Sequence, residues 1–216
     1  MKDIQLNATN PKCVILFAAG SGGNPERHLP LLNSLTECGC NVVAPYFERI
    51  TSPMPTSEEL LSRASSLRSS LSSALDSTLP VIGVGHSIGA ALLVALAGGQ
   101  MYMRSGLALS IVQEKRLTKL ILFTPPTGFF QGPNALAAIK TPIQLWAGTL
   151  DNIIEQSQVE YLKKTITKAP VDFHVIEGAG HFSFMNTLPP NIVDPMANRE
   201  EFLDKLASEV CRFAIN

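Results

Sequence analysis

The sequence predicts an α/β protein, with a mostly parallel sheet of six strands flanked by helices on both faces. Three observations carry this. Apolar runs of strand length recur along the chain, they are apolar nearly throughout instead of alternating, and helix-periodic segments separate them. A strand covered on both faces has no polar side to show, and parallel strands need a long crossover, usually helical, to reconnect.

In chain order the runs are CVILFAA (13–19), NVVAPY (41–46), VIGVG (81–85), KLILFTP (119–125), IQLWAG (143–148) and VDFHVIEG (171–178). Helices are expected near 26–38, 57–78, 88–98, 155–168 and 198–214. The second is the easiest to justify. Leu60, Ala64, Leu67, Leu71 and Ala74 alternate four- and three-residue steps, with serines filling the outer face. Thr56 followed by Glu59 fits a capping box, placed just after the breakers Pro53 and Pro55. No repeat or linker interrupts the pattern, so residues 1–216 read as a single domain.

Composition narrows the function classes. The chain is 45% hydrophobic and 16% charged, with net charge −1. Its basic residues are scattered, without the runs that nucleic-acid binding needs. No stretch reaches the roughly 18 consecutive apolar residues of a membrane span. The amino terminus, MKDIQLNATNPK, lacks the apolar core of a secretory signal. Cys38-Gly39-Cys40 is too tightly spaced for a usual disulfide or zinc half-site, and Cys13 and Cys211 fall in buried-looking segments. Four free thiols in a reduced, cytoplasmic protein are therefore expected, with no metal and no cofactor.

Chemistry-bearing residues follow the strands. In an open α/β sheet, ligands bind beyond the carboxyl ends of the strands. The third run leads into Gly85-His86-Ser87-Ile88-Gly89, then a helix-like Ala/Leu pattern. A serine flanked by two such glycines suits a tight strand-to-helix turn that lifts its hydroxyl above the sheet. Ser87 could equally be a plain N-cap, so the motif alone is weak. The fifth run ends in WAGTLDN and delivers Asp151, and the sixth ends in EGAGHFSF and delivers His181. A serine hydroxyl needs an adjacent base to take its proton, and the base needs an acid to fix its tautomer. Of the other histidines, His86 should point away from Ser87, His174 lies mid-strand, and His28 belongs to the first helix. Two backbone donors are needed for a tetrahedral oxyanion. Ile88 N–H sits at a helix amino terminus, and the glycine-rich AAGSGGNPER loop after the first strand offers Ser21. That loop lacks the lysine and the spacing of nucleotide-binding loops.

The FAAGSGG loop, GHSIG, AGTLDN and GAGHFSF together resemble the α/β-hydrolase superfamily over essentially the whole chain. Within it, the chain is most similar to the serine-nucleophile, dienelactone-hydrolase-like branch. That resemblance implies a three-layer fold with strand order 2-1-3-4-5-6, and a catalytic triad of Ser87, Asp151 and His181. Two features depart from the pattern. Dienelactone hydrolases themselves carry cysteine where Ser87 stands, and many members have His-Gly where this chain has Ala19-Gly20. The two leading antiparallel strands of the superfamily are expected to be absent, since only about a dozen residues precede the first run.

Only PTGFFQGPNALAAIKT (126–141) fills the gap where a lid usually sits, too little for a large cap domain. Phe129, Phe130, Phe182, Phe184 and Met185 lie on loops at the expected site edge and are candidates to bind an apolar acyl group. The proline-rich stretch 186–198 follows His181 and could shape one wall. The sequence reading is thus a serine hydrolase cleaving carboxylic esters with small or medium uncharged acyl groups, monomeric or homodimeric. The competing readings are a non-catalytic binding protein on the same scaffold and an acyltransferase or thioesterase using the same triad.

Overall fold

The computed structural model describes residues 3–74 and 78–216. A short edge strand β1 (Ile4–Leu6) is followed by β2 (Cys13–Ala18), β3 (Cys40–Ala44), β4 (Val81–His86), β5 (Leu117–Phe123), β6 (Ile143–Gly148) and β7 (Val171–Ile176). They form one sheet in the order β1-β3-β2-β4-β5-β6-β7. Leaving out β1, this is the expected order of six parallel strands. The strand count itself is corrected from six to seven, because one leading strand is present. β1 pairs antiparallel with β3, setting Ile4 opposite Ala44 and Leu6 opposite Val42. Three residues, two half-buried around an exposed Gln5, are too few to show strand periodicity in sequence, and pairing with β3 is what orders them.

Strands β2, β4 and β6 are buried at every position, as their unbroken apolar runs require. Successive side chains point to opposite faces. Val14, Leu16 and Ala18 pack with Leu60 and Leu67 of α2 (Ser57–Ala74), Leu93 of α3 (Ile88–Leu96) and Leu162 of α4 (Gln156–Thr165). Cys13, Ile15 and Phe17 pack on the other face with Leu32 and Leu35 of α1 (Leu29–Glu37) and Leu206 and Val210 of α5 (Arg199–Ile215). A 3-10 turn, Pro25–His28, leads into α1. The expected helix over 57–78 ends at Ala74, and positions 75–77 lie outside the described residues.

The expectation of four free thiols does not hold. Cys38, closing α1, is joined by a disulfide to Cys211 on α5, with Cα atoms 6.3 Å apart. The juxtaposition comes from packing α1 on α5, which residue spacing along the chain does not reveal. Cys13 and Cys40 stay free and buried, side by side on β2 and β3 with sulfurs 2.6 Å apart. The disulfide removes the cysteine argument for a reducing compartment.

Between β5 and β6 the only helical turn among the described residues is Gly128–Phe130, and no helical cap stands over the sheet. No described helix is long and apolar enough to cross a membrane.

Candidate active site

β4 runs into α3 through a bend at Ser87, whose backbone adopts φ 54°, ψ −128°. A left-handed φ at a residue with a Cβ is strained and persists only where its surroundings impose it. Here the surroundings are the flanking glycines. A Cβ on Gly89 would lie 2.1 Å from the Ala18 carbonyl oxygen, and one on Gly85 would lie 2.9 Å from Ala90 N. The helix can therefore start directly against β2 only with glycine at both positions. Gly89→Ala is expected to lower stability by about 3 kcal/mol or more, because rigid backbone faces the new methyl. A thermal melt with an unchanged midpoint would exclude this account of the bend.

Three chain segments then meet above the sheet. Ser87 follows β4, Asp151 follows β6 and His181 follows β7. His181 Nε2 lies 3.0 Å from Ser87 Oγ, and His181 Nδ1 lies 2.8 Å from Asp151 Oδ2. The network assigns the tautomer. Nδ1–H donates to the carboxylate, which leaves Nε2 free to accept from the serine hydroxyl. The Asp151 side chain is fully buried, and its other oxygen accepts from Ile153 N–H at 2.9 Å and Ile154 N–H at 2.8 Å. Those two amides satisfy a carboxylate that water does not reach. The structure thus brings together all three side chains that sequence reasoning singled out.

Ile88 opens α3, where first-turn N–H groups lack helical partners. Among the described residues neither Ile88 N–H nor Ser21 N–H has an acceptor. The loop bearing Ser21 lies against the bend, since a Cβ on Gly20 would stand 3.4 Å from Ser87 Cβ.

The apolar candidates divide. Phe182 is half-buried and sets its ring edge-on to His181, with centroids 5.2 Å apart. Phe130 and Phe184 have no exposed surface and are core residues, which corrects their placement at the site edge. Phe184 packs on Phe123 and Phe202 on the α5 side of the sheet, while Phe130 packs on the α3 side. Loops that fold back over strand ends seal the core with such rings, and sequence does not say which way a loop aromatic turns. Phe129 and Met185 are nearly buried, each 7% exposed.

Two supporting interactions were not readable beforehand. His86 points away from Ser87 as expected, but its Nε2–H donates to the His181 carbonyl at 2.9 Å. Burial, reinforced by His181 and His28 nearby, pushes the His86 pKa well below its ordinary value, so this donor stays neutral. His28 lies behind it, 5.4 Å from the His86 ring, and burial pushes it down to about 3. On the far side of the His181 loop, Ser183 Oγ accepts from Gly180 N–H and donates to Asp194. Asp194 also accepts from Met196 N–H. It therefore ties the proline-rich stretch to the loop that carries His181. His174 lies away from the site, stacked on Trp146 and bonded to Asp172.

Similar architectures are known. A carboxylesterase from Bacillus cereus superposes with a TM-score of 0.60 at 20% identity, covering 97% of this chain and 94% of that one. An esterase from Pyrococcus furiosus gives 0.65 at 15% identity, covering 98% and 90%. An alpha-beta serine hydrolase homologue from Coxiella burnetii gives 0.59 at 18% identity, covering 98% and 96%. At such identities the likeness establishes the fold alone. No curated protein matches the chain. A sequence-family model does. The match runs from residue 48 to residue 207 and so contains Ser87, Asp151 and His181, and by that match the chain belongs to the dienelactone hydrolase family.

Proposed function

We propose that this protein is a serine hydrolase that cleaves carboxylic esters through an acyl-enzyme. The observation that carries the reading is the continuous hydrogen-bond chain from buried Asp151 through His181 to a serine held in a strained bend. In this scheme Ser87 Oγ attacks the ester carbonyl as His181 Nε2 takes its proton. His181 then returns that proton to the departing alkoxide, leaving an acyl group on Ser87. Water repeats the sequence, with His181 again as base, and releases the acid. Asp151 holds the imidazole in the working tautomer and stabilises the imidazolium. Ile88 and Ser21 N–H groups receive the oxyanion. With no helical cap over the sheet among the described residues and Phe182 beside the imidazole, the site suits small or medium uncharged acyl groups. The family likeness and the named esterases point the same way.

Labelling with a fluorophosphonate probe, followed by mapping of the modified peptide, tests the reading. Modification of Ser87 is the expected result. A folded protein that takes no label at Ser87 would rule out the serine mechanism. A panel of p-nitrophenyl esters of rising chain length would then define the acyl preference.

The second oxyanion donor has its own test. Because the donor is a backbone N–H, Ser21→Ala should retain most activity. Ser21→Pro removes that N–H and should lower kcat about 10²–10³-fold. A crystal structure of the proline variant must show the loop in place. A large loss from Ser21→Ala would instead assign the role to the hydroxyl.

A further inference from the structure

Helix α2 carries one arginine on its buried stripe. Arg63 lies three residues after Leu60 and four before Leu67, and it is only 4% exposed. Among the described residues its guanidinium bonds to no carboxylate. Nη1 donates to the Gly20 carbonyl at 2.9 Å, and Nη2 donates to the carbonyls of Ser21, at 3.0 Å, and Glu48. The Phe47 ring covers it, with Cζ 4.9 Å from the ring centroid. Glu59, one turn earlier, is engaged instead by Thr56 N–H and Oγ1–H in the capping box. Burial pulls the guanidinium pKa down to about 10, opposed by the nearby Glu59, so the group stays charged at neutral pH. A buried cation held by carbonyl dipoles and an aromatic face, with no carboxylate partner among the described residues, is a costly way to fill space.

Two of its three acceptors belong to the loop that lies against Ser87. A trans peptide carries its C=O and the following N–H on opposite sides, and no cis peptide bond occurs among the described residues. Holding the Gly20 oxygen toward α2 therefore turns Ser21 N–H away from α2. Gly20 itself stands against the bend, where a Cβ would lie 3.2 Å from His86 Nδ1 and 3.4 Å from Ser87 Cβ. The Ser21 oxygen also accepts from Ile50 N–H at 2.9 Å, which braces the next peptide, Ser21–Gly22, from the segment after β3. We propose that Arg63 is a positioning residue that clamps the Gly20 and Ser21 carbonyls so that Ser21 N–H faces the oxyanion formed at Ser87. The assignment rests on the serine-hydrolase reading above. It needs the guanidinium fork, because a single ammonium cannot hold diverging carbonyls in a fixed plane.

Arg63→Met keeps much of the volume and removes every donor, while Arg63→Lys keeps the charge and loses the fork. Loss of the clamp should lower kcat about 10²–10³-fold in Arg63→Met, the size of one missing oxyanion donor, with KM changed by less than about threefold. Arg63→Lys should fall between that variant and the wild type. The pH–rate midpoint should not move, because Asp151 and His181 are untouched. A folded Arg63→Met variant with more than about half the wild-type kcat overturns the proposal, since one donor is worth far more. A crystal structure of the wild-type phosphonyl adduct gives a readout that needs no variant to fold. The phosphonyl oxygen is expected to accept from Ser21 N–H, with Arg63 still on both carbonyls. An adduct on Ser87 whose oxygen turns away from Ser21 overturns the clamp alone, whereas the absence of any adduct at Ser87 overturns the hydrolase reading itself.

Discussion

Ser87→Ala is expected to abolish measurable ester turnover, with a loss on the order of 10⁶-fold, while the fold survives. The size follows from the proposed roles of the three side chains. Without the hydroxyl, His181 Nε2 has no proton to take and no covalent intermediate can form, so Asp151 and the two backbone donors have nothing to stabilise beyond water attack. The fold should survive because, among the described residues, the only side-chain partner of Ser87 Oγ is His181 Nε2, 3.0 Å away, and Ser87 itself is half-buried. Losing one such bond costs about 1 kcal/mol. Alanine also suffers the same left-handed strain as serine at φ 54°, so the bend gains no reason to relax. Steady-state kinetics on a preparation free of wild-type protein, with circular dichroism as the folding control, makes the comparison. Retention of more than a few per cent of activity would falsify the nucleophile assignment.

Much of this architecture is legible in the chain because the parallel strands are buried on both faces. Segments such as CVILFAA and VIGVG have no polar side, and the rule that ligands gather beyond the carboxyl strand ends then selects Ser87, Asp151 and His181. The structure places these three within hydrogen-bond reach. What escaped depends on contacts between distant segments. β1 spans three residues, and only its pairing with Val42–Ala44 makes it a strand. Cys38 and Cys211 are 173 residues apart and meet because α1 packs on α5. Phe130 and Phe182 are both loop aromatics, and local sequence does not tell the core ring from the one beside His181. Arg63 is a different case, since its signal was present. It occupies the same stripe as Leu60, Ala64, Leu67 and Leu71, and a charge on a buried stripe always calls for a partner.

The choice of acid gives the second large effect. Asp151→Asn is expected to lower kcat about 10⁴-fold with little change in the positions of the atoms. The reason lies in the other end of the side chain. Oδ1 of Asp151 accepts from both Ile153 and Ile154 N–H groups. In the asparagine variant those two donors fix the amide oxygen at that position, so the NH₂ group must face His181 Nδ1. Nδ1 then becomes an acceptor, the proton moves to Nε2, and the imidazole presents an N–H to Ser87 where it must present a lone pair. Flipping the amide would restore the tautomer only by setting NH₂ against two backbone donors, which is worse. Two other aspartates in this part of the chain, Asp172 and Asp194, are already engaged. Asp172 is largely exposed on β7 and bonds to His174, while Asp194 holds Ser183 and Met196. Asp194→Asn should therefore change kcat by less than about tenfold, since its amide oxygen can still accept from Ser183 and no proton of the triad is misplaced. Parallel kinetics on the two variants decides the matter. A crippled Asp194→Asn beside an active Asp151→Asn would move the acid from the turn after β6 to the proline-rich stretch after His181.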